Sequence, residues 1–260
     1  MISIPDQIGE KVELSHHPKR IVSLVPSQTE LLYDLALNEE VVGITKFCIH
    51  PAAWHHKKIK IGGTKNVNLQ KIKELRPDLI IANKEENTKE DILALREFCP
   101  VYTSDIQTLE HSLSMISDIG VLTDRKSQAD RLIQTIRSSF NQFKPPFQSI
   151  RVAYMIWQNP YMVAGKDTFI HHILESAGMI NVFGHLSRYP ELSINVIQEC
   201  SPEIILLSSE PYPFKEKHIS EFRLCFPEAR IALVDGEMFS WYGSRLQFVP
   251  QYLTHLANIL

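Results

Sequence analysis

The chain has 260 residues, of which 44% are hydrophobic and 22% charged, and its formal net charge is −3. That is globular composition, long enough for one large domain or two smaller ones with cores of their own. The mild acidity and the lack of a basic stripe with interleaved aromatics give no reason to expect nucleic acid or an anionic membrane as partner, and no apolar run approaches the ~20 residues of a membrane span.

The amino terminus, Met1-Ile2-Ser3-Ile4-Pro5-Asp6, offers no basic region, apolar stretch or small-residue cleavage site. A cytoplasmic location is expected, with a periplasmic one as the alternative if a signal peptide is missing. Arg20–Val25 reads as a strand. Pro26 follows, and Ser27 and Glu30 have capping-box spacing for a helix continued by Leu31, Leu32 and Leu35. Further strands are predicted at 41–47, 79–82 and 101–103, with helices at 69–75 and 91–98 between them. Residues 123–143 place Ala129, Leu132, Ile133, Ile136, Phe140 and Phe143 at helical spacing, with Thr123 as the expected cap and Lys144-Pro145-Pro146 as the stop. Strands are then expected at 151–157, 204–208 and 231–234, a helix at 166–177 ended by Gly178, and a helix from Ser244 that must take Pro250 into its first turns. Alternating strands and helices predict a mainly parallel sheet covered on both faces.

Residues 68–81 align without gaps on residues 193–206, each a helix, a Pro-acid turn and an apolar strand. With the long helix between the halves, this predicts a duplicated lobe. The predicted organisation is an α/β lobe at 1–122, a connecting helix at 123–144 and a second α/β lobe at 145–260.

Ligands of open parallel sheets sit outside the carboxyl ends of the strands. The loops so placed are Pro26–Gln28, Phe47–His50, Asn83–Asn87, Trp157–Tyr161, Ser208–Tyr212 and Asp235–Tyr242. They are rich in aromatic, amide and acidic groups, and in two facing lobes they would form one cleft. No G-x-S-x-G, G-x-x-x-x-G-K, G-x-G-x-x-G or H-E-x-x-H motif is present. The pairs His16-His17, His55-His56 and His171-His172 read as bland, whereas His50, at a strand end, and His218 are candidates for ligand contact. His50, Glu85, Glu86, Glu210 and Asp235 could converge, but their spacing is not that of a protein-only metal site, and none is predicted. Trp157, Trp241 and Tyr242 suit a bulky planar ligand, while Phe239 reads as core. Cys48, Cys99, Cys200 and Cys225 form no C-x-x-C pair and are expected to be reduced.

The order from Pro18 to Glu30, then Gly62-Gly63, then Asn68 to Ile80, resembles the substrate-binding proteins of iron-siderophore, haem and cobalamin ABC importers. The resemblance continues through Val163–Lys166, Gly178 and Ser187–Pro190 to Gly243–Arg245. It implies two Rossmann-like α/β lobes with mainly parallel sheets, joined by one long backbone helix that permits only small lobe movements. It also implies non-catalytic capture of cobalamin, haem or a ferric siderophore in the interlobe cleft, with no tightly bound cofactor. Expected ligand contacts in the first lobe are Gln28, Phe47, His50, Thr64, Lys65 and Asn83. In the second half they are Trp157, Gln158, Tyr161, Tyr189 and Glu210, then Trp241, Tyr242 and Arg245. Family members dock on an ABC permease through one acidic residue per lobe, and Gln70 and Asn195 occupy those positions here. Tryptophans that line the cobalamin pocket fall near Thr64 and at Asn83. Two other readings stay open: a relative uncoupled from any transporter, and an enzyme acting on a corrinoid or metal chelate through carboxylates such as Glu85 and Glu210.

Overall fold

The structure is a computed structural model that describes all residues from Met1 to Leu260. It divides into two compact units. The first holds Met1–Ile106, Glu110–Ser138 and Tyr242–Arg245; the second holds Gln107–Leu109, Ser139–Trp241 and Leu246–Leu260.

The first unit opens with an antiparallel hairpin of β1 (Ile2–Pro5) and β2 (Lys11–Leu14). Then come β3 (Ile21–Ser23), α1 (Pro26–Asp34), β4 (Val41–Ile44), α2 (Ala52–Lys57), β5 (Ile59–Lys60) and α3 (Leu69–Glu74). After these follow β6 (Leu79–Asn83), α4 (Lys89–Arg96), β7 (Val101–Ser104), α5 (Leu109–Leu122) and α6 (Lys126–Gln142). The sheet runs β5-β4-β3-β6-β7, every pairing parallel. Its central strands, Ile21–Ser23 and Leu79–Ala82, are fully buried. This is why they read as unbroken apolar runs instead of alternating.

The second unit contains β8 (Ile150–Trp157), β9 (Tyr161–Val163), α7 (Phe169–Ser176), β10 (Met179–Asn181), β11 (Glu191–Leu192) and α8 (Ile194–Glu199). It continues with β12 (Ile204–Ser208), α9 (Glu216–Cys225), β13 (Arg230–Val234), α10 (Glu237–Ser240), a 3₁₀ turn at Ser244–Phe248 and α11 (Val249–Ile259). The sheet order is β11-β9-β8-β12-β13. β8 pairs in parallel with β12 and, along its first residues, with β10; near its end it pairs antiparallel with β9. The parallel set β10-β8-β12-β13 repeats the neighbour order β4-β3-β6-β7 of the first unit.

The sequence repeat is a structural repeat. Asn68 caps α3 by accepting from Lys71 N–H, and Ser193 caps α8 by accepting from Val196 N–H. Each helix ends on a residue with positive φ, Arg76 at 46° and Ser201 at 44°. The acid after the proline then closes on the start of the neighbouring strand. Asp78 accepts from the Lys19 and Arg20 N–H groups, both at 2.8 Å, and Glu203 accepts from Arg151 N–H at 2.9 Å. In the reverse direction, Arg20 donates to the Leu75 carbonyl at 2.7 Å and Arg151 to the Cys200 carbonyl at 2.6 Å. These bonds satisfy carbonyls that the helix end leaves open.

Three expectations are corrected. α1 has no capping box: Val25 is the N-cap without a side-chain bond, and Pro26 starts the helix, where its missing N–H costs nothing. Thr123 does not cap the helix after it, because its hydroxyl donates to the Ile119 carbonyl at 2.6 Å at the end of α5. That helix begins at Lys126, and the helical stretch before it, α5, is not among the predicted elements. Trp54, just before the His55-His56 pair, is 4% exposed in α2 and donates to Asn38.

Removing Asp78 by Asp78→Ala leaves two backbone donors without their charged acceptor. A loss of about 2 kcal/mol is expected, and Glu203→Ala, with one donor, should lose about half as much. Urea midpoints at unchanged slope measure both.

Candidate functional site

In the first unit, four strand-end segments meet over a buried amide network. Asn83, the last residue of β6, donates to the Ser104 hydroxyl at 2.9 Å and carbonyl at 3.1 Å. Its Oδ1 accepts from the Glu85 and Glu86 N–H groups and so turns the following loop. Asn87 accepts from Asn83 N–H at 2.9 Å and donates to the Thr64 carbonyl at 2.9 Å. Gln28 donates to the Ser104 hydroxyl at 2.6 Å. Lys65 reaches across to the Glu85 carbonyl.

In the loop after β4, Phe47 is 51% exposed and Ile49 47%. Gly63 brings the next loop against the Phe47 ring, since a Cβ there would lie 3.3 Å from Phe47 Cε2. The Lys46 ammonium lies 4.9 Å from the ring centroid. His50 is half-buried and leads through Pro51 into α2. Burial raises the Glu86 carboxyl above the usual carboxylate range, and the nearby Lys65 charge pulls it back.

In the second unit, Trp157 ends β8 at 38% exposure with its ring edge-on to Tyr212, centroids 5.5 Å apart. The Tyr212 hydroxyl donates to Gln158 Oε1 at 3.1 Å and lies 3.2 Å from His218 Nε2. Behind Tyr212 the aromatic contacts continue through Phe214 and His218 to Phe222, on which Tyr161 also rests. Trp157 therefore rests on a braced shelf of rings. A second joint lies at the ends of β12 and β13. One Glu210 carboxylate oxygen accepts from the Ser240 hydroxyl at 2.6 Å and from the Trp241 indole N–H at 2.9 Å. Gly236 permits the close approach: a Cβ there would meet the Ser208 hydroxyl at 2.4 Å.

All six loops expected at strand carboxyl ends lie there, although Pro26–Gln28 is the first turn of α1. The expected residues separate by layer. Phe47, His50, Thr64, Lys65, Trp157, Gln158, Tyr161, Tyr189 and Glu210 are exposed or half-buried. Gln28 and Asn83 are 0% and 1% exposed, and their amides are spent in the network, so both support the surface from below. Trp241 and Tyr242 are likewise buried, at 6% and 5%. Arg245 forms a two-point ion pair with Glu30, at 2.7 and 3.0 Å. His218 is a core histidine, 2% exposed, whose Nδ1 accepts from Lys215 N–H. Asp235, just before the Gly236 N-cap of α10, accepts from Glu237 N–H at 3.1 Å. Asn87 and Tyr212 were not singled out from sequence; the four-residue spacing of Asn83 and Asn87 was the available signal. No group of three or more His, Cys, Asp or Glu residues is arranged to hold a metal ion. All four cysteines are free; Cys48 and Cys99 are buried and Cys200 and Cys225 half-buried.

Residues 21–224 match the family model described as periplasmic binding protein. The chain belongs to the periplasmic binding protein family. Members of this family bind solutes and release them unchanged, so the enzymatic reading is set aside. An uncharacterized ABC transporter substrate-binding lipoprotein of Bacillus subtilis is 26% identical over 216 residues, 79% of this chain and 68% of that protein. A vitamin B12-binding protein of Pectobacterium carotovorum is 23% identical over 246 residues, 91% and 87% of the two chains. The periplasmic vitamin B12-binding protein of Vibrio cholerae superposes with a TM-score of 0.76 at 20% identity, covering 94% of this chain and 98% of that one. The apo periplasmic haem-binding protein of Roseiflexus gives 0.80 at 19%, covering 92% and 97%. These structures establish the two-lobed α/β fold. The ABC-transporter relatives imply a permease as partner. They also overturn the cytoplasmic location expected from sequence, since the family and its relatives are periplasmic proteins or lipoproteins. No helix of the chain is long and apolar enough to cross a membrane.

Burial separates the two tryptophans that looked alike in sequence. Trp241→Ala should lose about 3–5 kcal/mol of stability through its cavity and the lost indole bond to Glu210. Trp157→Ala should lose less than about 1.5 kcal/mol, because an open surface leaves no closed void. Thermal and urea unfolding of the two variants give the comparison.

Proposed function

We propose that this binding protein delivers a small metal chelate, in the class of cobalamin, haem or a ferric siderophore, to an ABC permease. The ligand is held at the strand carboxyl ends. The candidate contact residues are Phe47, His50, Thr64 and Lys65 in the first unit; in the second they are Trp157, Gln158, Tyr161, Tyr189 and Glu210. The observation that carries this reading is the pair of exposed aromatic rings, Phe47 at 51%, packed against the Gly63 loop, and Trp157 at 38%, edge-on to Tyr212. Large flat rings held rigid at a strand end, with amide, hydroxyl and carboxylate groups beside them, suit a broad planar ligand that needs several fixed contacts. Relatives named as vitamin B12-binding and haem-binding proteins support the ligand class. Gln28 and Asn83 set loop positions in this scheme, and Arg245 fixes Tyr242 to α1 through Glu30.

Titration of cyanocobalamin, haemin and ferric siderophores by tryptophan fluorescence tests the proposal. One of them should quench Trp157 saturably, and Trp157→Ala or Phe47→Ala should weaken it about ten- to a hundredfold, the ~1–3 kcal/mol of one aromatic stacking contact. Absence of saturable binding to all three classes would remove the ligand assignment.

The permease contact has its own test. Gln70 and Asn195 are exposed at equivalent second positions of α3 and α8, and Gln70 spends its amide on Glu74 at 3.1 Å. Neither position offers a carboxylate to a cationic permease surface. Docking should be weak, and the double variant Gln70→Glu with Asn195→Glu should tighten it, most at low salt, where exposed charges are least screened. Tight docking of the unaltered protein in a pull-down with its permease would contradict the role given to these two positions.

A further inference from the structure

The near-neutral total hides a segregated charge. From Val41 to Glu74, the end of α3, the chain carries seven lysines (Lys46, Lys57, Lys58, Lys60, Lys65, Lys71 and Lys73), three histidines, no arginine and one carboxylate, Glu74. The rest of the molecule therefore carries all but one of the acids.

The fold keeps these cations together. The stretch comprises β4, α2, β5 and α3 with their loops, and β5 is the outermost strand of its sheet. From β5, Lys60 donates to the His55 and Lys58 carbonyls at the end of α2, where a cation complements the helix dipole. Burial lowers the Lys60 pKa, and the charge of Lys71 on α3 lowers it further, so two elements bring their ammonium groups within repelling range. Burial lowers Lys58 as well; Glu39 and Glu40, from the turn before β4, oppose this, and Lys57 adds to it. Lys57, Lys71 and Lys73 are exposed, and Ile59 among them is 44% exposed. The matching β–loop–helix segment of the second unit, residues 179–199, has no lysine, one arginine and two glutamates. The repeat thus folds without such cations, and their clustering in the first unit answers to something outside the fold.

We infer that the α2–β5–α3 edge of the first unit is an adsorption surface for anionic phospholipid headgroups. The use of lysine alone favours lipid over protein. Protein interfaces select arginine for its planar fork and are depleted in lysine. A diffuse layer of headgroup charge needs only point cations on long stems, and each contributes near the surface. An exposed aliphatic side chain such as Ile59 can settle among the headgroups without spanning the bilayer.

The test is co-sedimentation of the 260-residue chain with phosphatidylcholine vesicles, with and without phosphatidylglycerol. Binding is expected only with phosphatidylglycerol and should vanish in high salt. The triple variant Lys57→Gln, Lys71→Gln, Lys73→Gln should bind about a hundredfold more weakly, at about fivefold per lysine. A control triple of exposed lysines elsewhere, Lys89→Gln, Lys144→Gln, Lys217→Gln, makes the same change in net charge and should leave binding within about twofold. Circular-dichroism melts establish that both triples fold. No binding to phosphatidylglycerol overturns the inference, as does equal loss in both triples, which would leave only net charge at work. Capture by an acidic polypeptide without binding to vesicles would assign the surface to a protein and overturn it too.

Discussion

The joint that closes the amino ends of the central strands governs both units. In each, an acid after a proline receives the backbone N–H of the neighbouring strand, and an arginine on that strand covers the carbonyls of the helix end. The joint sets the register of β3 against β6 and of β8 against β12, Ile21 opposite Leu79 and Val152 opposite Ile204. With the amino ends fixed and the strands buried on both faces, a one-residue slip would expose the core. The carboxyl ends are then the place where loops can differ without loss of the sheet. The first unit uses this freedom for a buried amide network, the second for a run of rings against Trp157. The two units thus carry chemically unlike surfaces at equivalent strand ends.

This repeat was legible in sequence because it is local. Residues 68–81 and 193–206 combine a cap, a helix, a proline and an apolar strand, each with a mechanism that acts within a few residues. The strand-end rule located the six loops for the same reason. What escaped depends on distant partners. Thr123 has the chemistry of a cap, but the Ile119 carbonyl one turn earlier takes its hydroxyl. α5 buries Ser112 and Gly120 on the face where apolar residues would have marked its period.

The site shows the same division more sharply. Trp157 and Trp241 each sit in a loop among polar residues, and nothing in their neighbours ranks them. The difference is that the Trp241 indole N–H finds a carboxylate thirty-one residues away, whereas Trp157 ends a strand with its ring edge-on to Tyr212. Gln28 and Asn83 look like ligand-binding amides because amides bind ligands; here they bind Ser104, seventy-six and twenty-one residues away. A polar residue at a strand end is therefore ambiguous until the partners of its neighbours are known. The aromatics that stay exposed after those partners are assigned carry the functional claim.

Composition misleads in one further way, because it averages. A net charge of −3 excludes nothing when residues 41–74 of one unit hold seven lysines and a single acid. Like charges held together weaken the fold that holds them, and the lowered pKa values of Lys58 and Lys60 record that strain in part, beside the larger cost of burial. The second unit, built on the same repeat, avoids the cost altogether. Two copies of one architecture under the same folding demands thus separate what the fold requires from what it only tolerates. The strand-end joints occur in both copies and belong to folding; the lysine edge occurs in one and belongs to recognition.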